Sequence, residues 1–327
     1  MSSEPRESPV FICGHPKSGT SLLRAVFDSH PQLIVYPEET IFFRRFLPQA
    51  VGKNLEDQLS LADKTLINIF EWNKFNPVPS QEGFPDRDYS SISFLQVQRI
   101  MREYVQQRYR HPGDILSAAI LAYGLVSNQA GPEVLHWVEK SPYNEYHTED
   151  IFGWWPAAKC LHIIRDPRDN YNSYVRKHPD WSAEFFASNW KHSTNAGIQN
   201  ARKYGLDRYL LLRFEDLTQA PLENIHRAVE FLAIDWNATL VSPSRAGDNW
   251  AGNSMFSERF QGISAQPVAR WKQDLDLKDS SVIELLTSKL MNTFSYPIES
   301  LRDLNFFESL SVRVRTWSWP FRRRLKN

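Results

Sequence analysis

Four apolar residues run unbroken from Val10 to Cys13, and the chain then turns to Gly14-His15-Pro16-Lys17-Ser18-Gly19-Thr20 before apolar positions return at helical spacing through Phe27. That order predicts a buried strand, a tight loop and a helix. Residues 33–35 predict a second short strand, entered by His30-Pro31 and left at Pro37-Glu38-Glu39. Residues 135–138 predict a third, ending at Glu139-Lys140-Ser141-Pro142. The clearest buried strand is 160–164, followed by Arg165-Asp166-Pro167-Arg168-Asp169 and a helix to about Lys177. A further strand at 209–213 leads through Glu215-Asp216 and Pro221 into an amphipathic helix ending near Leu232. Residues 54–130 read as a mainly helical insertion, broken by a loop carrying Pro and Gly at 76–87.

Strands alternating with helices imply an α/β domain around a central, mostly parallel sheet. No repeat and no linker divides the chain, so we expect a disordered arm at 1–8, one domain over 9–300 and a tail over 301–327 that mixes tryptophans with Arg322-Arg323-Arg324. The stretch 243–267, with Gly247, Gly252 and Gly262 among polar residues, is expected to be a long functional loop. The first residues lack the apolar run of a signal peptide and no stretch reaches the length of a membrane span, which leads to the expectation of a cytoplasmic protein with no transmembrane segment.

Composition narrows the chemistry. Lys plus Arg equals Asp plus Glu at 38 each, so no field of one sign covers the molecule and DNA is not an expected partner. Any anion site must be local. Cys13 and Cys160 both lie inside apolar runs, which argues for two buried thiols rather than a disulfide scaffold.

A loop with glycines between a buried strand and a helix presents backbone N–H groups to an anion, with the positive end of the helix dipole behind them. Gly14 and Gly19 with Lys17, Ser18, Thr20 and Ser21 suit a phosphate. A Walker A loop would carry its lysine at the position of Thr20, whereas Lys17 stands three residues earlier. Arg165 follows the strongest strand, and Ser173 lies two helical turns on, so the pair can grip a second phosphate. Alternatively, 165–169 is a surface turn laced by ion pairs. Two anion sites at two strand ends describe a nucleotide phosphorylated at both ends of its ribose. No His, Cys, Asp and Glu cluster has metal-ligand spacing, so no metal is expected.

These residues carry a family resemblance. His15-Pro16-Lys17-Ser18-Gly19-Thr20-Ser21-Leu22 resembles the loop with which sulfotransferases hold the 5′-phosphosulfate of 3′-phosphoadenosine-5′-phosphosulfate (PAPS), and Arg165 to Asp169 with Ser173 resembles their 3′-phosphate motif. The run Leu212-Arg213-Phe214-Glu215-Asp216-Leu217 is similar to another segment of that family. The resemblance implies a three-layer fold like that of the P-loop NTPases and sulfuryl transfer from PAPS to a hydroxyl without a metal. Glu39-Thr40-Ile41-Phe42-Phe43 resembles the stretch supplying the general base in carbohydrate sulfotransferases, and Glu38-Glu39-Thr40 that of the tyrosylprotein enzymes; both select Glu39. An acidic first turn of a helix is the bland alternative, and Glu38 fits it better. Lys17 and Lys140 are candidates for stabilising charge on the departing phosphate. Gly252-Asn253-Ser254 and Gly262-Ile263-Ser264 with Arg270-Trp271 resemble the segment that closes over the nucleotide, which makes Ser254 a further candidate.

The chain departs from the small-molecule sulfotransferases, whose base is a histidine. His147 follows Lys140 by seven residues but begins a polar helix, and His15, His30 and His162 read as loop, turn and strand residues. The strand before Glu39 is expected to end beside the phosphate loop as its neighbour in the sheet. Two rivals stay open: a magnesium-dependent kinase on the same scaffold, and a nucleotide-binding interaction module without turnover. The acceptor, whether sugar, tyrosine, lipid head group or small alcohol, is not legible in the sequence, with a slight lean to a sugar hydroxyl.

Overall fold

A computed structural model describes residues 4–250, 252, 254–256, 258–260, 262–301 and 309–312. Residues 1–3 of the expected arm, most of the expected tail and Asn253 lie outside these. Five strands, β1 (Val10–Cys13), β2 (Leu33–Val35), β3 (His136–Lys140), β4 (Lys159–Ile164) and β5 (Tyr209–Arg213), pair in the order β2-β3-β1-β4-β5, every pair parallel. The predicted second strand therefore does not neighbour the first. The pairing of Val138 with both Val10 and Val35 places β3 between β1 and β2. Strand order reverses at β1 and β4, and a crevice opens beyond their carboxyl ends, as open α/β sheets require.

Alternation along each strand separates two layers. Val10 and Ile12 face α1 (Thr20–Phe27) and α7 (Pro221–Leu232), while Phe11 and Cys13 face the insertion formed by α2 (Leu55–Thr65), α3 (Phe94–Arg108) and α4 (Gly113–Val126). Such a sheet is covered on both sides, which explains its unbroken apolar runs. A third cluster joins α5 (Pro167–Val175), α6 (Ala183–Tyr204) and α8 (Leu277–Thr293). Both cysteines are buried and unpaired. Pro5–Glu7 form a 3₁₀ turn.

The segment 165–169 is no surface turn. Arg168 is fully buried, bonding Asp166 from Nη2 and Glu284 on α8 from Nη1, both at 2.6 Å, and stacking 3.9 Å from the Trp271 ring. The ion pairs weighed from the sequence are present, but they fasten α5 to α8 inside the protein. Glu215, from the β5 motif, accepts the Asp166 N–H at 2.9 Å and the Tyr296 hydroxyl at 2.8 Å, bracing the same turn from the end of β5.

Candidate active site

The loop after β1 is shaped by three left-handed residues, Gly14, Lys17 and Gly19. A side chain at Gly14 would bring its Cβ to 2.5 Å from the Ile163 carbonyl, and one at Gly19 to 2.4 Å from the Phe214 ring, so neither position admits one. The loop is held from behind. Glu145 accepts the Gly14 N–H at 3.1 Å, Tyr143 N–H bonds the Gly14 carbonyl at 3.3 Å, and Asn170 Nδ2 reaches the Pro16 carbonyl at 2.8 Å. Burial pushes the Glu145 carboxyl up to about 7. Its role escaped the sequence reading because a lone acid after Pro142 carries no motif.

A cleft of about 710 Å³, counted out to its open mouth, lies against this loop. Lys17, Gly19, Thr20, Ser21, Arg165, Ser173 and Ser254 all line it, whereas Glu39 and Lys140 do not and reach it through Ser21. Ser18 lies apart from these, its hydroxyl buried with no partner. Arg165 Nη1 bonds Ser173 Oγ at 3.2 Å and the Lys17 carbonyl at 3.1 Å, while Nη2 bonds the Pro267 carbonyl at 2.9 Å. The guanidinium lies 4.6 Å from the Phe214 ring centre, and its buried Nε has no protein partner. A donor held in reserve and two glycines cleared of side chains fit a phosphorylated ligand. Phe214, Trp250, Phe256 and Phe260 add apolar wall that the sequence reading did not assign, since aromatic residues in a loop are indistinguishable from core.

Glu39 and Lys140 meet beside Ser21. Lys140 Nζ, on a side chain only 4% exposed at the end of β3, is 2.5 Å from Glu39 Oε1 and 3.2 Å from Ser21 Oγ. The backbone around Glu39 is fixed on both sides. Glu38 accepts from Arg87 Nε at 2.9 Å and Tyr89 at 2.7 Å, Thr40 Oγ1 donates to Glu139 at 2.7 Å, and Ile41 N–H bonds Ser141 Oγ at 2.9 Å. Ile41 is left-handed, with φ of 49°, and caps a π-helical turn, Phe42–Phe46. A β-branched residue in that region is strained, and the surrounding bonds hold it there. The acidic helix turn considered for this stretch is not what forms: both acids precede the π-helical turn, Glu38 in a bend and Glu39 in irregular chain.

The charges act on one another. Desolvation would raise the Glu39 carboxyl, but the ammonium of Lys140, helped by Lys177 and Lys17, holds it below the ordinary carboxylate range. The side chain remains 37% exposed, open to an incoming group. Burial, with Lys177 next in effect, brings Lys17 down to about 8. Lys177, just past the end of α5, belongs to this set although no motif marks it. The histidines do not join it. Burial holds His147, stacked 4.9 Å from the Phe43 ring centre, and His15 at about 4, and His162 at about 3. His30 Nε2 lies 2.9 Å from the Asp235 carbonyl in its turn.

Comparison with known proteins bears on this arrangement. The chain is similar to protein-tyrosine sulfotransferase A of Caenorhabditis elegans, with 25% identity over 71% of this chain and 52% of that protein. It is similar also to protein-tyrosine sulfotransferase 2 of Gallus gallus, with 22% identity over 72% of this chain and 54% of the relative. The chain thus spans about half the length of the curated relatives it matches. Among solved structures, the sulfotransferase domain of the Synechococcus PCC 7002 olefin synthase superposes with a TM-score of 0.55 at 20% identity, over 89% of this chain and 96% of that one. That from the curacin biosynthetic pathway reaches 0.52 at 16%, over 89% and 99%. These two likenesses concern the fold, and they agree with the P-loop-like α/β arrangement expected. A profile described as the sulfotransferase family matches residues 9–238. Because that match runs from β1 through the turns after β1 and β4 and past α7, the chain belongs to the sulfotransferase family.

Proposed function

We propose that the protein transfers a sulfuryl group from PAPS to an acceptor hydroxyl, with Glu39 as general base. The observation that carries this reading is the chain of contacts from Glu39 through Lys140 to Ser21, a serine that lines the same cleft as Arg165 and Ser173. The bound donor would supply an activated sulfuryl group on a phosphate leaving group. Residues 17–21 would hold its 5′ end, and Arg165 and Ser173 its 3′-phosphate.

Within that frame each side chain has a separate task. Glu39, ionised at rest, accepts the acceptor's proton as its oxygen attacks. Its resting partner Lys140 can turn to phosphate oxygen instead, which relieves the carboxylate of its strongest counter-charge and makes it a better base at the moment one is needed. Lys17 and Lys140 then neutralise charge on the leaving phosphate, where preorganised cations contribute most. An acceptor screen with isotopically labelled PAPS, read by mass gain on tyrosyl peptides, oligosaccharides, lipid head groups and small alcohols, tests the activity and identifies the acceptor. No transfer to any class, with PAPS consumed neither, would overturn the reading.

Lys17 gives the reaction a basic limit. Its ammonium deprotonates near pH 8 in the free protein, so kcat/KM for PAPS should decline above that pH, as a group required in its charged form dictates. Lys17→Arg cannot lose its charge in this range. The variant should begin from a lower value and stay flat to about pH 10. Parallel declines in both proteins would assign the limb to another group.

A further inference from the structure

Asp169 does not itself line the cleft and is 1% exposed, yet its carboxylate holds a segment that does. Its Oδ2 accepts the N–H of Ala269 at 2.6 Å and its Oδ1 the N–H of Trp271 at 2.8 Å. Between and before those amides stand wall residues: Gly262, Ser264, Pro267 and Arg270 line the cleft. Ala269 is left-handed, with φ of 60°, a conformation that costs energy for any residue with a Cβ. Both carboxylate oxygens are therefore spent on holding a strained turn against α5.

A second fastening lies beside the first. Arg165 Nη2 bonds the Pro267 carbonyl at 2.9 Å, two residues before the Asp169 contact. Arg270, the next lining residue, turns its guanidinium to Glu258 at 2.6 Å and over the Phe256 ring at 4.3 Å. The wall is thus held at 267, 269 and 271 from the single turn that follows β4, and the remainder of the wall hangs from these points.

We infer that Asp169 is a positioning residue that sets the lifetime of the bound nucleotide, by anchoring the 262–271 wall through the Ala269 and Trp271 amides. The inference rests on the donor reading given above. Release of the nucleotide requires this wall to part from α5, whereas entry does not require it to be in place first, so the effect falls on the off-rate. Asparagine at 169 can accept only one of the two amides and turns an NH₂ toward the other, which sets donor against donor.

The anchor also carries a pH signature. Burial raises the Asp169 carboxyl to about 6. Among the charges around it, Arg165 lowers and Asp166 raises it, while the two amide bonds lower it; Arg270 is turned away to Glu258. As pH falls through 6 the carboxylate gains a proton and can no longer accept from both amides. The anchor is therefore present above about pH 6 and lost below it.

The test measures release of 3′-phosphoadenosine-5′-phosphate from wild type and Asp169→Asn by stopped flow across pH 5 to 8. At pH 8 the variant should release the nucleotide about 10- to 100-fold faster, the range for losing a hydrogen bond to a charged acceptor, with the association rate changed by less than about 3-fold. The nucleotide's own phosphates titrate near pH 6. The ratio of variant to wild-type off-rate cancels that titration and should shrink toward unity below pH 6. Hydrogen exchange in unsubstituted, nucleotide-free protein supplies a readout independent of folding of the variant: the Ala269 and Trp271 amides should be protected at pH 7.5 and lose protection below pH 6. Equal off-rates with tight binding in both proteins, or exchange at these amides indifferent to pH, would overturn the anchoring role alone. Wild type that binds no nucleotide would overturn the donor reading beneath it.

Discussion

Replacing Glu39 by Gln should lower kcat by about 10²–10⁴-fold, the usual contribution of a positioned general base, while leaving nucleotide affinity close to that of wild type. Gln keeps the size of the side chain and can still accept from Lys140 Nζ, which sits 2.5 Å from the carboxylate. What it loses is the capacity to take a proton. Removing one negative charge beside Lys140 and Lys17 leaves the cleft more cationic, so affinity for the product nucleotide should hold or rise slightly. That split between kcat and binding separates a lost base from a damaged site. Glu38→Gln should be milder, because Glu38 is occupied with Arg87 and Tyr89 rather than with Lys140. Steady-state kinetics on both variants with product-nucleotide calorimetry decides the matter. A larger loss at Glu38 would move the base by one residue, and no loss at either would remove the carboxylates from the mechanism.

The second large effect concerns Arg165. Wild type should bind 3′-phosphoadenosine-5′-phosphate far more tightly than AMP, since a charge-assisted hydrogen bond contributes roughly 1.5–3 kcal/mol and the site offers more than one. Arg165→Ala should reduce this preference by about 10²-fold or more. The geometry adds a qualification that the motif does not carry. Arg165 also bonds the Lys17 carbonyl and the Pro267 carbonyl, so the variant should lose some affinity for AMP as well, through a loosened loop and wall. Ser173→Ala lacks those secondary contacts and should trim the preference without touching AMP. Calorimetry with both nucleotides on both variants checks the pattern. Equal wild-type affinities for the two nucleotides would remove the 3′-phosphate from the site.

Much of this site was legible because parallel strands end where ligands bind, and strand ends are marked by abrupt changes from apolar to polar sequence. The residues 33–35 and 209–213 form strands with the expected bounds, and Glu39 meets Lys140 even though its strand lies one place further from β1 than expected. What escaped depends on long-range pairing. Nothing local in residues 136–140 says that β3 inserts between β1 and β2. Glu145 is an ordinary acid in sequence, and Glu215 and Asp169, though inside recognisable motifs, show what they hold only through the backbone amides that they meet. The buried helix α6 went unread because its small and polar residues, such as Asn189, Ser193 and Gly197, blur the apolar period; a Cβ at Gly197 would lie 2.6 Å from the His162 ring.

The strand order has a further consequence, for how the chain is made. β1 sits at the centre of the sheet and pairs only with β3 and β4, whose residues follow it by well over a hundred positions. During synthesis at about 5–20 residues per second, β1 emerges roughly 6–25 s before the end of β3 exists to receive it. Through that interval Val10, Phe11, Ile12 and Cys13, all fully buried in the finished protein, have no sheet to enter. The nascent chain is thus obliged to wait with its central strand unpaired, a period in which chaperone contact or self-association competes with folding.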